Sequence, residues 1–256
     1  MRLDRALAER GLARSRTHAA RLIEAGRVTV DGQPARRASQ PVGPEAVLAA
    51  EAEAWVSRAA HKLLGALEDS ETAVPRRVLD AGASTGGFTQ VCLERGAEIV
   101  YAVDVGHDQL DPTLRDDPRV VVREGLNLRD LTLADLQDEP VELIVGDVSF
   151  ISLRLLLAPL ADVLAPDGVA LLLVKPQFEV GKSRLGAGGV VRDPALQRDA
   201  VAAVVEAASE VGLRCDWQGQ SRLPGTNGNL EFFIRLRRLP APLAPGACER
   251  DDMANR

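Results

Sequence analysis

The chain has 256 residues, of which 46% are hydrophobic and 27% are charged, and its formal net charge is −6. This balance is typical of a folded globular protein and excludes a disordered or fibrous one. The sequence opens without an apolar leader and has no run of about 18 apolar residues, so we expect a cytoplasmic protein without a membrane span. Cys92, Cys215 and Cys248 lie far apart with no histidine at metal-ligand spacing, so we expect reduced thiols and no metal site.

Charge divides the chain into two parts. Residues 1–40 hold nine arginines and four acids, a balance of +5, so the remaining 216 residues carry −11. The elements predicted in the first part are, in order, helices over 3–10 and 15–25, a hairpin that turns at Asp31-Gly32, and a strand over 46–48. Together they predict a small α+β module that ends near residue 52.

From Ser57 onward, helix and strand signals alternate. Ser57 can cap a helix whose apolar face is formed by Ala60, Leu63, Leu64 and Leu67. Seven strands are then predicted, over 77–81, 99–105, 120–123, 143–147, 169–174, 213–219 and 232–236. Helical patterns between most of these strands predict a parallel, doubly wound sheet, and the loop 220–230 predicts a closing antiparallel hairpin. The predicted fold class is therefore α/β, and seven strands ending this way resemble the Rossmann-like methyltransferase plan.

A glycine-rich turn follows the first of these strands. It reads Asp80-Ala81-Gly82-Ala83-Ser84-Thr85-Gly86-Gly87, and its D-x-G-x-x-x-G-G spacing differs from the G-x-G-x-x-G that cradles a pyrophosphate. The difference favours a compact amino-acid and sulfonium group, as in S-adenosylmethionine, over a dinucleotide. Asp104 ends the next strand, roughly 20 residues on, where an acid can accept the ribose hydroxyls of a nucleoside. A nicotinamide enzyme and a structural turn with a capping aspartate are the alternatives.

The ends of the later strands bear on which atom accepts the methyl group. The fourth strand runs into Gly146-Asp147-Val148-Ser149-Phe150, which offers neither the proline loop of amino methylation nor the cysteine of pyrimidine C5 methylation. An oxygen acceptor is therefore favoured, and its proton needs a base such as a neutral lysine. Lys175 is the candidate base, Lys62 its candidate neighbour, and Asp147 and Glu231 could orient both amines. Lys62 lies opposite the apolar face of its helix, which fits a solvated surface lysine equally well.

Short motifs run along the chain to about residue 238. Those in the first part are Arg2-Leu3-Asp4, Ala13-Arg14-Ser15-Arg16, Ala25-Gly26-Arg27-Val28 and Val30-Asp31-Gly32. Those in the second part are Trp55-Val56-Ser57-Arg58, His61-Lys62-Leu63, residues 79–89, 147–153 and 174–182, and Pro224-Gly225 with Asn229-Leu230-Glu231. Together they resemble the TlyA family, in which an S4 RNA-binding domain precedes an FtsJ-like ribose 2′-O-methyltransferase domain. The chain departs from that pattern at Glu53, where the family often has arginine, and at Ala59, where it often has glycine.

The resemblance implies a function and a set of site residues. The implied function is 2′-O-methylation of cytidine in the RNA of ribosomal subunits. The implied substrate is 23S RNA, and 16S RNA is a possible second substrate. The implied catalytic tetrad is Lys62, Asp147, Lys175 and Glu231, with Lys175 as the base. The residues expected around S-adenosylmethionine are Asp80, Gly82, Ala83, Ser84, Gly86, Gly87, Phe88, Asp104, Val105, Asn127 and Asp147. The arginines expected to neutralise phosphates of folded RNA are Arg2, Arg5, Arg14, Arg16, Arg21, Arg27, Arg36 and Arg37.

We therefore expect four segments: an S4-like domain over 1–52, a linker over 53–57, a methyltransferase domain over 58–240 and a flexible tail over 241–256. Two other functional classes stay open. One is a membrane-active haemolysin, a label the family has carried, although no strongly amphipathic basic helix with bulky aromatic residues is present. The other is an RNA-binding protein whose methyltransferase fold is inactive.

Overall fold

A computed structural model describes residues 1–13, 15–51, 55–181 and 184–238. The chain divides into two compact units, Met1–Ala54 and Trp55–Arg256. Several sequence-based expectations lie outside the described residues: those for Arg14, for Glu53 in the linker, for Lys182 and for the tail over 241–256, together with the side chain of Arg21.

The first unit packs two helices beside a small antiparallel sheet. Its elements are α1 (Leu3–Glu9), α2 (Arg16–Glu24), β1 (Val28–Val30), β2 (Gln33–Pro34) and β3 (Leu48–Ala50), with strand order β2-β1-β3. Asp31 and Gly32 have φ angles of 52° and 78°, as the tightest hairpin turns require, so the predicted hairpin is confirmed. The last strand begins two residues later than predicted, because its pairing with β1 opposes Leu48 to Val30.

The second unit is built on one seven-stranded sheet. Its helices are α3 (Ala59–Asp69), α4 (Gly87–Glu94), α5 (Pro112–Arg115), α6 (Leu157–Val163), α7 (Pro176–Glu179) and α8 (Pro194–Glu210). Its strands are β4 (Arg77–Ala81), β5 (Ile99–Asp104), β6 (Val120–Glu124), β7 (Val141–Gly146), β8 (Leu164–Val174), β9 (Leu213–Gln220) and β10 (Phe232–Arg238). The strand order is β6-β5-β4-β7-β8-β10-β9, and β10 pairs antiparallel with both of its neighbours. The predicted α/β fold class and the closing hairpin are confirmed.

Alternate residues of each central strand serve two separate cores. Leu79 and Ile144 are buried on one face of the sheet, whereas Val78, Leu143 and Val145 are buried on the other. Helices therefore cover both faces, which is why these strands appear in the sequence as nearly continuous apolar runs. Two strands begin earlier than predicted, because Val141 already pairs with Leu164 ahead of a register shift.

The topology fixes where a ligand can approach. From β4 the chain moves outward through β5 and β6, and then returns to place β7 on the other side of β4. The loops that leave the carboxyl ends of β4 and β7 therefore diverge in opposite directions, and a crevice opens between them. Ligands of open α/β sheets bind in such a crevice.

Candidate active site

The glycine-rich turn leaves β4 at the edge of this crevice. Gly82 and Gly86 have φ angles of 86° and 92°, a region that side chains disfavour. A Cβ atom on Gly82 would lie 3.0 Å from Val148 Cγ1, and one on Gly86 would collide with Leu114. Glycine is therefore needed at both positions. At Gly82 it allows the loop after β7 to approach, and at Gly86 it allows α4 to begin.

Two carboxylates hold the turn in shape. Asp80 is fully buried beneath it and accepts a hydrogen bond from Thr89 Oγ1 at 2.6 Å. Burial raises the pKa of Asp80 to about 7. Asp104, at the end of β5, accepts the backbone N–H of Ser84 at 2.8 Å through one oxygen and that of Gly106 at 2.7 Å through the other. The turn is thus preorganised by groups on two neighbouring strands.

A cavity of about 520 Å³ lies beside the turn. Its polar wall includes Asp104, Gln109 and Asn127, and its apolar wall includes Leu126, Leu128, Val148, Ile151 and Leu156. The predicted donor-site residues that line it are Gly82, Ser84, Asp104, Val105, Asn127 and Asp147. A polar wall facing an apolar one suits a flat heterocycle that carries a hydrophilic sugar.

The other predicted donor-site residues are placed differently. Ala83, Gly87 and Phe88 line a smaller cavity of about 230 Å³, which also contains Lys62, Lys175 and Glu231. Gly86 caps α4, and Asp80 lies beneath the turn with no exposed surface. The geometry therefore gives Asp80 a supporting position.

The four charged residues predicted as a tetrad come together at the carboxyl edge of the sheet. Lys175 Nζ lies 2.6 Å from Asp147 Oδ1, and Lys62 Nζ lies 2.6 Å from Glu231 Oε2. A distance of 3.9 Å between Lys62 Nζ and Asp147 Oδ2 joins the two pairs. The lysine side chains are only 7% and 9% exposed, so neither is a surface lysine. A buried ion pair is costly unless its geometry is good. Lys62 donates a hydrogen bond to Glu231, whereas the buried Asp147 Oδ1 accepts no hydrogen bond of regular geometry, so the contact of Lys175 with Asp147 is a close charge pair.

Lys62 and Glu231 are brought together by two elements far apart in the sequence. The helix α3, which carries Lys62, has Arg58 at its N-cap without a side-chain cap, so the predicted cap at Ser57 lies one residue too early, although Ser57 Oγ does accept the N–H of Ala59. The loop before Glu231 passes so close that a Cβ atom on Gly225 would collide with the Glu231 carboxylate. Arg222 connects this loop to α3 through salt bridges with Asp69 at 2.6 Å and with Glu68 at 2.8 Å. The sequence places Lys62 and Glu231 169 residues apart, so only tertiary structure reveals their contact.

A third cavity, of about 670 Å³, lies on the far side of Lys175 and Glu231. Phe150 stands at its rim with 91% of its surface exposed and a φ angle of 66°, which is rare for an aromatic residue. Its ring packs on Phe178 with 5.3 Å between the centroids. Ser149, the preceding residue, accepts a hydrogen bond from Lys175 Nζ at 2.7 Å. The sequence analysis assigned no role to Ser149 or Phe150. The available signal was Phe150 itself, an aromatic residue in a chain that has few of them.

The arginines of the first unit fall into two groups. Arg2 and Arg16 both contact the buried Asp4, at 3.0 Å and 3.2 Å, and the hydrogen bond from Arg2 is the main cause that lowers the pKa of Asp4 to about 2. Arg5 pairs with Glu9 at 2.6 Å. Arg36 and Arg37 are exposed and Arg27 is half-buried, and none of these three has an acid of the described residues within ion-pair distance. Among the predicted RNA-binding arginines whose side chains the structure describes, these three have the charge most freely available to a phosphate.

Two kinds of feature are absent from the described residues. None of their helices is long and apolar enough to cross a membrane. No group of three or more histidine, cysteine or acidic side chains in this part of the chain is arranged to hold a metal ion.

Comparison with known proteins matches both units. Residues 55–238 match the model of the FtsJ-like methyltransferases, and residues 1–48 match that of the S4 domain. The chain is 51% identical over 240 residues to the 16S/23S rRNA (cytidine-2′-O)-methyltransferase TlyA of Mycobacterium tuberculosis, covering 92% of this chain and 89% of that one. It is 34% identical to the 23S rRNA (cytidine-2′-O)-methyltransferase TlyA of Campylobacter jejuni, covering 91% and 98%. A solved structure from Streptococcus thermophilus with a hemolysin label is 36% identical, with a TM-score of 0.75 over 94% of this chain and 90% of that one.

The fold, the site and these matches define a class of protein: an FtsJ-like methyltransferase with an S4 domain in front of it. Within that class, the chain belongs to the TlyA family. The resemblance seen in the sequence motifs is thereby confirmed.

Proposed function

We propose that this protein transfers a methyl group from S-adenosylmethionine to the ribose 2′-oxygen of cytidine in ribosomal RNA. The observation that carries the proposal is the pair of contacts Lys175–Asp147 and Lys62–Glu231 beside the glycine-rich turn. The relatives from Mycobacterium tuberculosis and Campylobacter jejuni are named for this reaction, on 16S/23S and on 23S rRNA respectively.

The residues around the turn fit S-adenosylmethionine. Gly82 and Ser84 of the turn line both the 230 Å³ and the 520 Å³ cavities, where they can face a compact amino-acid group. Asp104 at the end of β5 offers carboxylate oxygens to ribose hydroxyls, and Asn127 with the apolar wall of the 520 Å³ cavity suits an adenine ring. When bound, S-adenosylmethionine supplies an electrophilic methyl group on a sulfonium.

Lys175 is the proposed base. In its neutral form its Nζ can take the proton of a ribose 2′-hydroxyl placed between the 230 Å³ and 670 Å³ cavities, both of which it lines. Asp147 and Ser149 fix the direction of the amine through contacts of 2.6 Å and 2.7 Å. After transfer, Asp147 faces the protonated amine and stabilises its charge.

Lys62 and Glu231 have a supporting role in this proposal. Glu231 holds Lys62 at 2.6 Å and thereby keeps one cation on the opposite side of Asp147 from Lys175. Such a cation stabilises negative charge that develops on the ribose oxygen as its proton leaves. The exposed arginines of the first unit would neutralise phosphates of folded RNA and position it without reading bases.

The test is transfer from methyl-labelled S-adenosylmethionine to purified small and large ribosomal subunits, followed by digestion of the RNA to nucleosides. We expect label in 2′-O-methylcytidine, and the subunit that acquires it identifies the substrate RNA. Label on a base would contradict the proposal, and RNA binding without any label would support an inactive methyltransferase fold instead.

A further inference from the structure

Glu179 is a buried carboxylate that the proposed reaction does not use. It is the last residue of α7, and its side chain is 1% exposed. Oε1 accepts the backbone N–H of Leu153 at 2.8 Å, and Oε2 accepts the hydroxyl of Ser152 at 2.6 Å. Arg154 Nε lies 3.5 Å from the same oxygen. Three consecutive residues of a distant loop therefore surround this one carboxylate.

Burial of a carboxylate costs free energy unless hydrogen-bond donors of the protein replace water, and Ser152 and Leu153 supply such donors to Glu179. The donors come from a segment 26 and 27 residues away in the sequence, so the contact joins two loops and does not stabilise one turn locally. The hydrogen bonds that Ser152 and Leu153 donate are short, and hydrogen bonds to a charged carboxylate are stronger than those between neutral groups. Glu179 thus anchors the loop that leaves β7 to the helix that follows β8.

The anchored loop carries groups of the active site. Asp147 and Ser149, which contact Lys175, lie a few residues before Ser152. Lys175 itself directly precedes α7, whose last residue is Glu179. The loop after β7 and the segment after β8 are therefore joined at two points, at Lys175 and at Glu179. The rings of Phe150 and Phe178 also pack together between these two segments.

We propose that Glu179 is a positioning residue for this loop, an inference that rests on the proposed function. It fixes the loop so that Asp147 and Ser149 stay in contact with Lys175 and hold its amine toward the ribose hydroxyl. Loss of the anchor lets Lys175 and its partners sample unproductive directions. One wall of the donor cavity is formed by the glycine-rich turn and Asp104, which do not touch Glu179, and the other by Val148, Ile151 and Leu156 of the anchored loop. Loss of the anchor should therefore affect donor binding less than it affects the reaction.

The experiment compares Glu179→Leu with Glu179→Gln in the full chain. Leucine leaves the buried Leu153 N–H without an acceptor, whereas glutamine keeps an oxygen for Leu153 and can donate its amide N–H to Ser152 Oγ. We expect kcat on ribosomal subunits to fall about 10–100-fold in Glu179→Leu, the scale of a small misplacement of reacting groups, and to recover largely in Glu179→Gln. The Kd for S-adenosylmethionine should rise by a smaller factor than kcat falls in Glu179→Leu, because the glycine-rich turn and Asp104 stay in place, and it should stay near the wild-type value in Glu179→Gln.

Asp135 offers a matched control. Its carboxylate also accepts a backbone N–H and a hydroxyl, both from Thr132 at 2.9 Å, but it lies in a turn before β7, at the other end of that strand. Asp135→Leu removes the same two kinds of hydrogen bond, but within a single exposed turn, and is expected to leave kcat unchanged. Hydrogen exchange at the Leu153 amide supplies a readout that needs no activity, and we expect it to quicken in Glu179→Leu alone.

Each outcome bears on the inference. Unchanged exchange at Leu153 in Glu179→Leu overturns it, whatever the activity. So does a wild-type kcat in that variant, an equal loss in Asp135→Leu, or a Glu179→Gln protein as impaired as Glu179→Leu. A wild-type protein that methylates no RNA refutes the proposed function itself, which the exchange measurement distinguishes from a failure of the anchor.

Discussion

Lysine is rare in this chain, and its placement carries chemical information. The sequence has three lysines, Lys62, Lys175 and Lys182, among 31 basic residues. Two of the three occur in the buried charge cluster. Arginine keeps its proton under all ordinary conditions, whereas lysine can lose one when its surroundings favour the neutral form. A chain that otherwise favours arginine thus has lysine where proton transfer is proposed.

Phe150 is exposed, and its left-handed backbone is retained beside the proposed reaction site. We expect Phe150→Ala to raise the KM for ribosomal subunits several-fold, because an exposed ring at the cavity rim offers a nucleobase a surface for stacking worth about 1–3 kcal/mol. The free energy of unfolding should not fall, since the side chain is hardly buried. Steady-state kinetics and urea unfolding check both points, and an unchanged KM would argue against contact with RNA.

The burial of Asp80 predicts how the free energy of unfolding depends on pH. Its pKa of about 7 in the fold exceeds the ordinary value of 3.8, so its stabilising, protonated form is fully present below pH 3.8 and is lost as the pH rises to about 7. The free energy of unfolding of wild type relative to Asp80→Asn should therefore fall by about 2 kcal/mol between pH 5 and pH 7, at about 1.4 kcal/mol per unit until Asp80 itself begins to ionise. Urea unfolding at both values measures this, and a pH-independent difference would show that Asp80 is ionised throughout.

At the scale of elements, the glycine-rich turn joins β4 to α4. Because a Cβ atom at Gly86 would collide with Leu114 and the φ angle there is 92°, Gly86→Ala should displace the start of α4. We expect a loss of about 1–3 kcal/mol in stability and weaker binding of S-adenosylmethionine. Gly96→Ala is the control, since it has a similar φ angle of 102° but open space around it and lies at the far end of α4. Isothermal titration should show weakened binding for Gly86→Ala only, and equal Kd values would contradict the assignment of the turn.

The elements also show which features a sequence can predict. All seven strands of the large sheet were located from the sequence. Central strands such as β4 and β7 have a nearly continuous apolar signal because they are buried on both faces, whereas burial alternates along the edge strand β9. Strand ends were less well predicted: the starts of β7 and β8 depend on the pairing of Val141 with Leu164, which no local pattern contains. Lys62 shows the same limit, since its helical position fits solvent equally well and its burial comes from contact with Glu231. Glu179 gave no signal at all, because its partners belong to a different loop.

At the scale of the whole molecule, the two units differ in charge. Residues 1–40 carry +5, although part of this charge is already paired, with Arg2 and Arg16 on Asp4 and Arg5 on Glu9. The arginines without such partners among the described residues include Arg36 and Arg37. We therefore expect fewer phosphate contacts in the proposed RNA complex than the count of arginines alone would indicate.

Substitution of both Arg36 and Arg37 by glutamine should raise the KM for ribosomal subunits and reduce the salt dependence of RNA binding, by a slope of about 1 for each lost phosphate contact. Donor binding should not change. Arg76→Gln with Arg95→Gln removes two exposed arginines from the second unit and serves as the control, since each is paired with a glutamate there. Equal salt slopes for the two double variants would contradict a specific role for the first unit in RNA binding.

In the proposed reaction, Lys175 accepts the proton of the ribose hydroxyl and later releases it. Lys175→Arg separates this proton transfer from the charge, because arginine keeps the positive charge beside Asp147 but does not act as a base. Single-turnover transfer from methyl-labelled S-adenosylmethionine to ribosomal subunits should slow by about 10²–10⁴-fold, with an unchanged Kd for the donor. Transfer at the wild-type rate in Lys175→Arg would show that only the charge is needed and would contradict the assignment of Lys175 as the base.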